Sequence, residues 1–163
     1  MASSKYKDAV NVRLSRWLPA VEQWPVKKTS DASDHYNCFA YVAGDLRRPW
    51  CPLPVLPRGV YWPVPVQLEE EDTIWPVFAG YETIGFECCA DGKYEAGFEK
   101  IAIYVNEKDA PTHVAIQRDN GLWQSKLGSE VDVEHALESL ESSDEFGPTD
   151  YGKAKYFMKR KRP

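Results

Sequence analysis

The sequence predicts a single α+β domain in which N-terminal helices pack on an antiparallel sheet. In the first half of the chain, apolar residues recur at three- and four-residue steps, which is typical of amphipathic helices. From Phe98 onward, short runs of β-branched and aromatic residues separated by turn signals replace that period. The chain has 163 residues, 43% of them hydrophobic, which is enough for one core and too little for two ordinary domains.

Two helices are expected in the first 50 residues. Residues 5–18 follow a helical period that Pro19 ends. The polar stretch at 27–34 then offers Ser and Asp as N-cap residues for a second helix over residues 35–46. This assignment places Cys38 in the first turn of the second helix.

The middle of the chain is predicted to be an ordered loop followed by a third helix. Six prolines lie between residues 47 and 65, and they exclude a long helix or a central strand. Residues 73–83 return to helical spacing, with Gly85 as the stop. The acidic run at 69–72 would lie favourably at the positive end of that helix dipole.

Residues 100–126 predict three strands in an antiparallel meander, at 100–105, 112–118 and 122–126. Asp119-Asn120-Gly121 is a hairpin signal between the last two of them. After the meander, a capping-box pattern at 129–132 predicts a short helix, and residues 154–159 predict an edge strand.

Composition limits the classes of partner and compartment. The net charge of −5 does not favour nucleic-acid binding, although residues 159–163 hold four basic residues that we expect to form a solvated basic tail. No stretch approaches the roughly 20 apolar residues that span a membrane, and no apolar leader begins the chain, so a cytoplasmic protein is expected. The four cysteines lack Cys-x-x-Cys spacing and are interpreted as thiols, with no metal and no cofactor expected.

Cys38 and His113 are the candidate nucleophile and base. Unpaired N–H groups in the first turn of a helix lower the pKa of a thiol, and Cys38 has that predicted position. His113 opens a strand expected to pack beside the helix, from which an imidazole can take the thiol proton. His35, one turn before Cys38, is the alternative base, whereas His135 is predicted on the solvated face of the late helix.

The order of these features resembles the NlpC/P60-like, papain-like cysteine hydrolases. The shared features are a helix-borne Cys38, the strand His113-Val114-Ala115-Ile116, and then a turn and another strand. The resemblance covers about residues 33–127 and implies a papain-like fold with a third residue that orients the imidazole. That position falls on Ser125, where the family usually has His, Asn, Gln or Asp.

The resemblance also implies a domain division and a substrate site. We expect an N-terminal helix and linker at 1–32, a papain-like core at 33–158 and the basic tail at 159–163, all in one domain. Asn37, Trp62 and Trp123 are the residues we assign to substrate binding, with Asn37 as a candidate oxyanion donor.

Several strings also resemble an uncharacterised bacterial domain family that brings no function with it. They are Asn37-Cys38-Phe39-Ala40-Tyr41, Tyr61-Trp62-Pro63, Gly97-Phe98-Glu99-Lys100-Ile101-Ala102-Ile103-Tyr104, Pro111-Thr112-His113-Val114-Ala115 and Trp123-Gln124-Ser125-Lys126-Leu127-Gly128.

Two functions are favoured, and a third, a nucleic-acid-associated role through the basic tail, is opposed by the negative charge of the rest of the chain. The first is a thiol hydrolase that attacks an amide or peptide-type bond through a Cys38–His113 dyad. The second is a non-catalytic binding or immunity-type module that uses an aromatic and proline-rich surface, favoured by the 6 Trp and 9 Tyr residues and by the atypical Ser125. The expected partner is a peptide or protein substrate in the first case and a partner protein in the second.

Overall fold

The computed structural model describes residues 9–163, and its centre is a seven-stranded sheet in the order β1-β6-β5-β4-β3-β7-β2. All neighbouring strands are antiparallel. The strands are β1 Lys27–Ser30, β2 Glu87–Cys89, β3 Phe98–Val105, β4 Pro111–Gln117, β5 Trp123–Lys126, β6 Asp132–His135 and β7 Lys153–Lys161.

The helices of the described residues are short. They are α1 Ala9–Leu14, α2 Cys38–Val42 and α3 Trp75–Glu82, with 3₁₀ turns at Pro19–Glu22, Leu68–Glu70 and Leu137–Leu140. The predicted papain-like α+β fold, with N-terminal helices packed on a sheet, is therefore wrong. The fold is mostly a seven-stranded antiparallel sheet with a few short helices. The part of the first predicted helix at 5–8 lies outside the described residues.

Helix α2 is less than half as long as predicted because its C-terminus is closed locally. Gly44 adopts φ 77°, and the Asp45 N–H donates to the Ala40 carbonyl at 3.0 Å. The Gly44 N–H donates to the Tyr41 carbonyl at 3.0 Å. These two bonds form a Schellman motif, which satisfies the last carbonyls and turns the chain away from the helix axis.

Both faces of the central part of the sheet are buried, and alternate residues of β3, β4 and β7 supply the two cores. On the first face, Ile103, Val114 and Met158 pack under α2, α3 and the proline-rich loop at 47–65. On the second face, Tyr104 and Ala115 pack under α1 and its neighbours. We call these the α2–α3 face and the α1 face.

The helix predicted after residue 129 is also wrong. Residues 132–135 form β6, which pairs with β5 on one side and with β1 on the other. Val133 and His135 face the interior while Glu134 is partly exposed, so the period is two and not 3.6. Pairing on both sides outweighed the local capping-box signal.

Strand β7 replaces both the predicted edge strand and the predicted tail. It lies between β3 and β2 and continues through Lys161. Lys159 pairs with Glu95 at 3.2 Å, and Arg160 pairs with Glu99 at 2.8 Å. The basic residues at the C-terminus are thus largely neutralised within the domain rather than forming a solvated tail.

Other predictions are confirmed. The loop at 47–65 contains no helix or strand, α3 falls within 73–83, and β3, β4 and β5 match the three predicted strands within two residues. The hairpin turn between β4 and β5 is closed by the Arg118 N–H, which donates to the Leu122 carbonyl at 2.8 Å, and Gly121 adopts φ 81°.

Candidate functional site

Cys38 lies in the first turn of α2, as predicted, although the helix begins at Cys38 itself and not at residue 35. The environment of the Cys38 side chain opposes a thiolate. The Asn37 side chain caps the helix by accepting from the Ala40 N–H at 3.1 Å. The Cys38 side chain is buried in the α2–α3 core. Burial raises the pKa of the Cys38 thiol to about 11, although backbone N–H groups, that of Val114 foremost, act in the opposite direction.

His113 lies on the opposite face of the sheet from Cys38. In β4, Val114 faces the core that contains Cys38, so the neighbouring His113 points to the α1 face. There its ring stacks on Tyr151 at 4.2 Å between centroids and meets Tyr104 edge-on at 5.4 Å. Because neither nitrogen of His113 has a hydrogen-bond partner within residues 9–163, the predicted Cys38–His113 pair is not hydrogen-bonded in this structure.

The His113 imidazole is fully buried, and neither of its ring nitrogens has a hydrogen-bond partner among residues 9–163. Burial holds the pKa of His113 well below its usual value, and the nearby His135 acts in the same direction. The ring is therefore neutral at physiological pH. The neutral ring packs flat against Tyr151, as an aromatic side chain of the core would.

Ser125 contacts a histidine that the sequence reading placed on the surface. Its Oγ lies 2.7 Å from Nε2 of His135, whose Nδ1 lies 2.7 Å from the Ala136 carbonyl oxygen. Both side chains are buried, and burial lowers the pKa of His135 to about 4 despite the Ala136 carbonyl. The alternation of buried positions through β6 is the signal that would have placed His135 inside. His35, the alternative base, is exposed.

The three residues assigned to substrate binding have structural contacts instead. The Asn37 amide donates to the Trp50 carbonyl at 2.7 Å, and its oxygen accepts from the Trp50 N–H at 3.0 Å. Trp62 packs edge-on against the rings of Phe39 and Tyr81. Trp62 and Trp123 are about 5% exposed, so neither offers a surface to a substrate.

The described part of the chain contains neither a group of metal-binding side chains nor a membrane-spanning helix. Within residues 9–163, no three His, Cys, Asp or Glu side chains converge in a way that could hold a metal ion. Across the same residues, no helix combines the length and apolar character needed to cross a bilayer.

A surface cavity whose lining is mostly apolar lies where α3 meets the end of the sheet. Its volume is about 690 Å³, and we call it the α3 groove. It is lined by Pro65, Glu70, Trp75, Pro76, Phe78, Ala79, Glu82, Cys88, Cys89, Ala90, Lys155, Tyr156 and Phe157.

Three aromatic side chains that line the groove pack edge-on in a row, and we call Trp75, Phe78 and Tyr156 the aromatic tier. Trp75, in the first turn of α3, is 67% exposed and packs edge-on against Phe78 at 5.8 Å between centroids. Phe78 packs edge-on against Tyr156 of β7 at 5.5 Å. The Tyr156 hydroxyl donates to Asp109 Oδ2 at 2.6 Å, which fixes the outer end of the tier.

The groove also lies at an incomplete edge of the sheet. The three-residue strand β2 covers β7 only at Phe157–Lys159. Towards the start of β7, Glu141 accepts from the Ala154 N–H at 3.0 Å and so covers that end. Within residues 9–163, Lys155 and Tyr156, between these two points, have no neighbouring strand on this side, and Lys155 lies at a bulge in the β3–β7 pairing. This gap opens into the α3 groove.

The family comparison covers the sheet. The family model of a domain of unknown function, DUF7689, matches residues 27–159. The chain belongs to the DUF7689 family. No curated protein and no solved structure matches the chain.

The DUF7689 match begins at the first residue of β1 and ends within β7, so it includes β1 to β6 completely and most of β7, and it excludes α1. All the strings noted in the sequence lie inside it. Nothing ties the DUF7689 domain to the NlpC/P60-like or papain-like families, and the resemblance to them is not supported.

Proposed function

We propose that this DUF7689 domain is a non-catalytic binding module that takes an extended segment of a partner protein into the α3 groove. The observation that carries the proposal is Trp75, which stands 67% exposed on a packed aromatic tier at the wall of the groove. Trp75 is not an isolated surface residue, because it shares the largely apolar lining of the groove with Phe78, Ala79 and Pro76. Tryptophan is also enriched among residues that dominate binding energy.

The size and rigidity of the groove support this function. A volume of about 690 Å³ is in the range of sites that enclose several side chains. Because the Trp75, Phe78 and Tyr156 rings already pack on one another, little side-chain entropy remains to be lost on binding.

The extended form of the ligand follows from the sheet edge. The gap beside Lys155 and Tyr156 is in line with β2, and an added strand there would continue β2 along β7. Peptides recognised in this way gain affinity from main-chain hydrogen bonds and specificity from alternate side chains placed in pockets. In this domain the adjacent pocket is the α3 groove.

A selection from a phage library of random dodecapeptides tests the proposal. We expect enriched peptides that bind the wild-type domain and lose at least about tenfold in affinity to Trp75→Ala, because hot-spot aromatic side chains are worth more than about 1.4 kcal/mol. Trp24→Ala is the matched control, since Trp24 is also exposed (41%) but lies in the chain segment that covers the α1 face. Failure to enrich any peptide, or equal binding to Trp75→Ala, would contradict the proposal.

A further inference from the structure

The polar residues that line the α3 groove leave it with unbalanced negative charge. Glu70 and Glu82 lie on its wall, and neither carboxylate forms an ion pair with another residue of 9–163. Lys155 is the basic residue among those lining the groove, and its Nζ lies 2.6 Å from Asp109 Oδ1. The cation in the groove is thus already paired, while the two anions are not.

The surroundings reinforce this imbalance. Glu69, Glu71 and Asp72 are exposed next to Glu70. Glu82 lies near Cys88, where its charge, after burial, contributes to raising the pKa of that thiol. A ligand that enters the groove therefore meets a negative potential at both ends of the apolar wall formed by α3. Negative charges along a groove favour a cationic ligand over a neutral or anionic one.

Glu70 is also held in a defined position. Its carboxylate accepts from the Gln67 N–H at 3.3 Å, in the capping box of the 3₁₀ turn that precedes α3. A second carboxylate oxygen remains available to a ligand. Because the turn and the helix are both ordered elements, the distance between the acidic positions and the Trp75 ring is fixed by the fold.

From this charge complementarity, and resting on the proposed function, we infer that the α3 groove selects an extended partner segment in which an apolar side chain is flanked by lysine or arginine. The apolar side chain packs against Trp75 and Phe78. The flanking cations pair with Glu70 and Glu82. Each partly exposed pair is worth about a two- to fivefold change in affinity, so the cations decide which apolar segment binds rather than whether one binds.

The test uses the peptides enriched from the dodecapeptide library. We expect their consensus to place Lys or Arg within two residues of an aromatic or aliphatic position. Affinity of the best peptide is measured against wild type, the double variant Glu70→Gln/Glu82→Gln, and Glu22→Gln, an exposed acid of the segment that covers the α1 face. The glutamines keep the carbonyl acceptor that position 70 needs for its contact with Gln67.

The double variant should weaken binding by about fivefold or more at about 50 mM NaCl and by much less at about 300 mM, because salt screens exposed charges. Glu22→Gln should have no effect. Replacing the peptide cation with glutamine should weaken binding to wild type but not to the double variant. A consensus without basic residues, or an affinity unchanged in the double variant, would overturn the inference. Unchanged binding to Trp75→Ala would instead overturn the proposed function, so the two failures are distinguishable.

Discussion

A Cβ atom on Gly80 would lie 2.2 Å from Cζ2 of Trp62, so α3 reaches its position because residue 80 has no side chain. This contact seats the helix that carries Trp75 and Phe78 against the proline-rich loop. We expect Gly80→Ala to lower the free energy of unfolding by about 1–3 kcal/mol, the usual cost of overpacking. Chemical denaturation of the wild type and of Gly80→Ala measures this difference in the free energy of unfolding.

Trp62→Phe supplies the control for this prediction, because it removes the part of the indole ring that a Cβ at residue 80 would meet. The double variant should be less destabilised than the sum of the two single changes. Gly80→Ala that is as stable as wild type would contradict the close packing, since alanine is otherwise favoured over glycine in a helix by about 1 kcal/mol.

Acid should destabilise the domain through its two buried histidines. The pKa of His135 falls to about 4 in the folded state, and that of His113 is also well below its usual value. Between about pH 6.5 and 4 the unfolded chain binds more protons than the folded one, so stability falls as the pH falls. Each histidine lowers the free energy of unfolding by up to about 1.4 kcal/mol for each pH unit that the pH falls in that window.

Urea unfolding at several pH values between 7.5 and 4.5 measures this slope. His113→Leu should remove the part that belongs to His113, whereas substitution of the exposed His35 by glutamine should leave the slope unchanged. A slope that is the same in wild type and His113→Leu would show that the His113 imidazole is not buried in the neutral form.

The four thiols should react in an order set by exposure. Cys88 is exposed in the α3 groove and Cys38 is buried with a raised pKa of about 11. We expect N-ethylmaleimide at neutral pH to modify Cys88 first and Cys38 last, on the order of a hundredfold more slowly, because Cys38 requires local opening. Mass spectrometry of the digested protein gives the rates. Fastest modification at Cys38 would restore the reactive-nucleophile hypothesis.

Asp45 should be a strong determinant of stability. Its Oδ2 accepts from Trp50 Nε1 and from Arg48 Nε, both at 2.9 Å. Burial acts to raise the pKa of this carboxyl, but these hydrogen bonds outweigh it and hold the pKa well below its usual range. Asp45→Ala leaves the buried indole N–H of Trp50 unpaired, which costs about 1–3 kcal/mol in thermal or urea unfolding.

Asp31→Ala is the matched control, because Asp31 pairs with Lys28 in solvent and should change stability little. Trp50→Phe, which removes the donor, should reduce the effect of Asp45→Ala. Equal effects of Asp45→Ala and Asp31→Ala would contradict the role of Asp45 in holding the loop.

Short-range signals in the sequence were sufficient to predict the positions of several elements. The turn at Asp119-Asn120-Gly121 and the apolar run that becomes β3 depend on local conformational preferences, so their positions were predictable. The second helix was predicted, but it begins at Cys38 and not at residue 35, because Asn37 accepts the capping hydrogen bond instead of the predicted Ser or Asp.

Long-range pairing explains what the sequence did not reveal. His135 appeared to be on a polar helix face, but β6 pairs with β1, which lies far earlier in the chain, as well as with the preceding strand β5. The expected contact between Cys38 and His113 does not form for a related reason. A one-residue difference in a strand reverses the face of a side chain, and only the pairing of Tyr104 with His113 fixes which face that is.

The central claim is that the α3 groove is the binding surface, and the alkylation rate of Cys88 tests it most directly, because this exposed native thiol lines the groove. The rate is measured with N-ethylmaleimide in the absence and presence of a saturating library peptide. We predict that the peptide slows modification of Cys88 by at least about tenfold, and that Trp75→Ala abolishes the protection at the same peptide concentration. A peptide that binds the domain while leaving the Cys88 rate unchanged would contradict the claim.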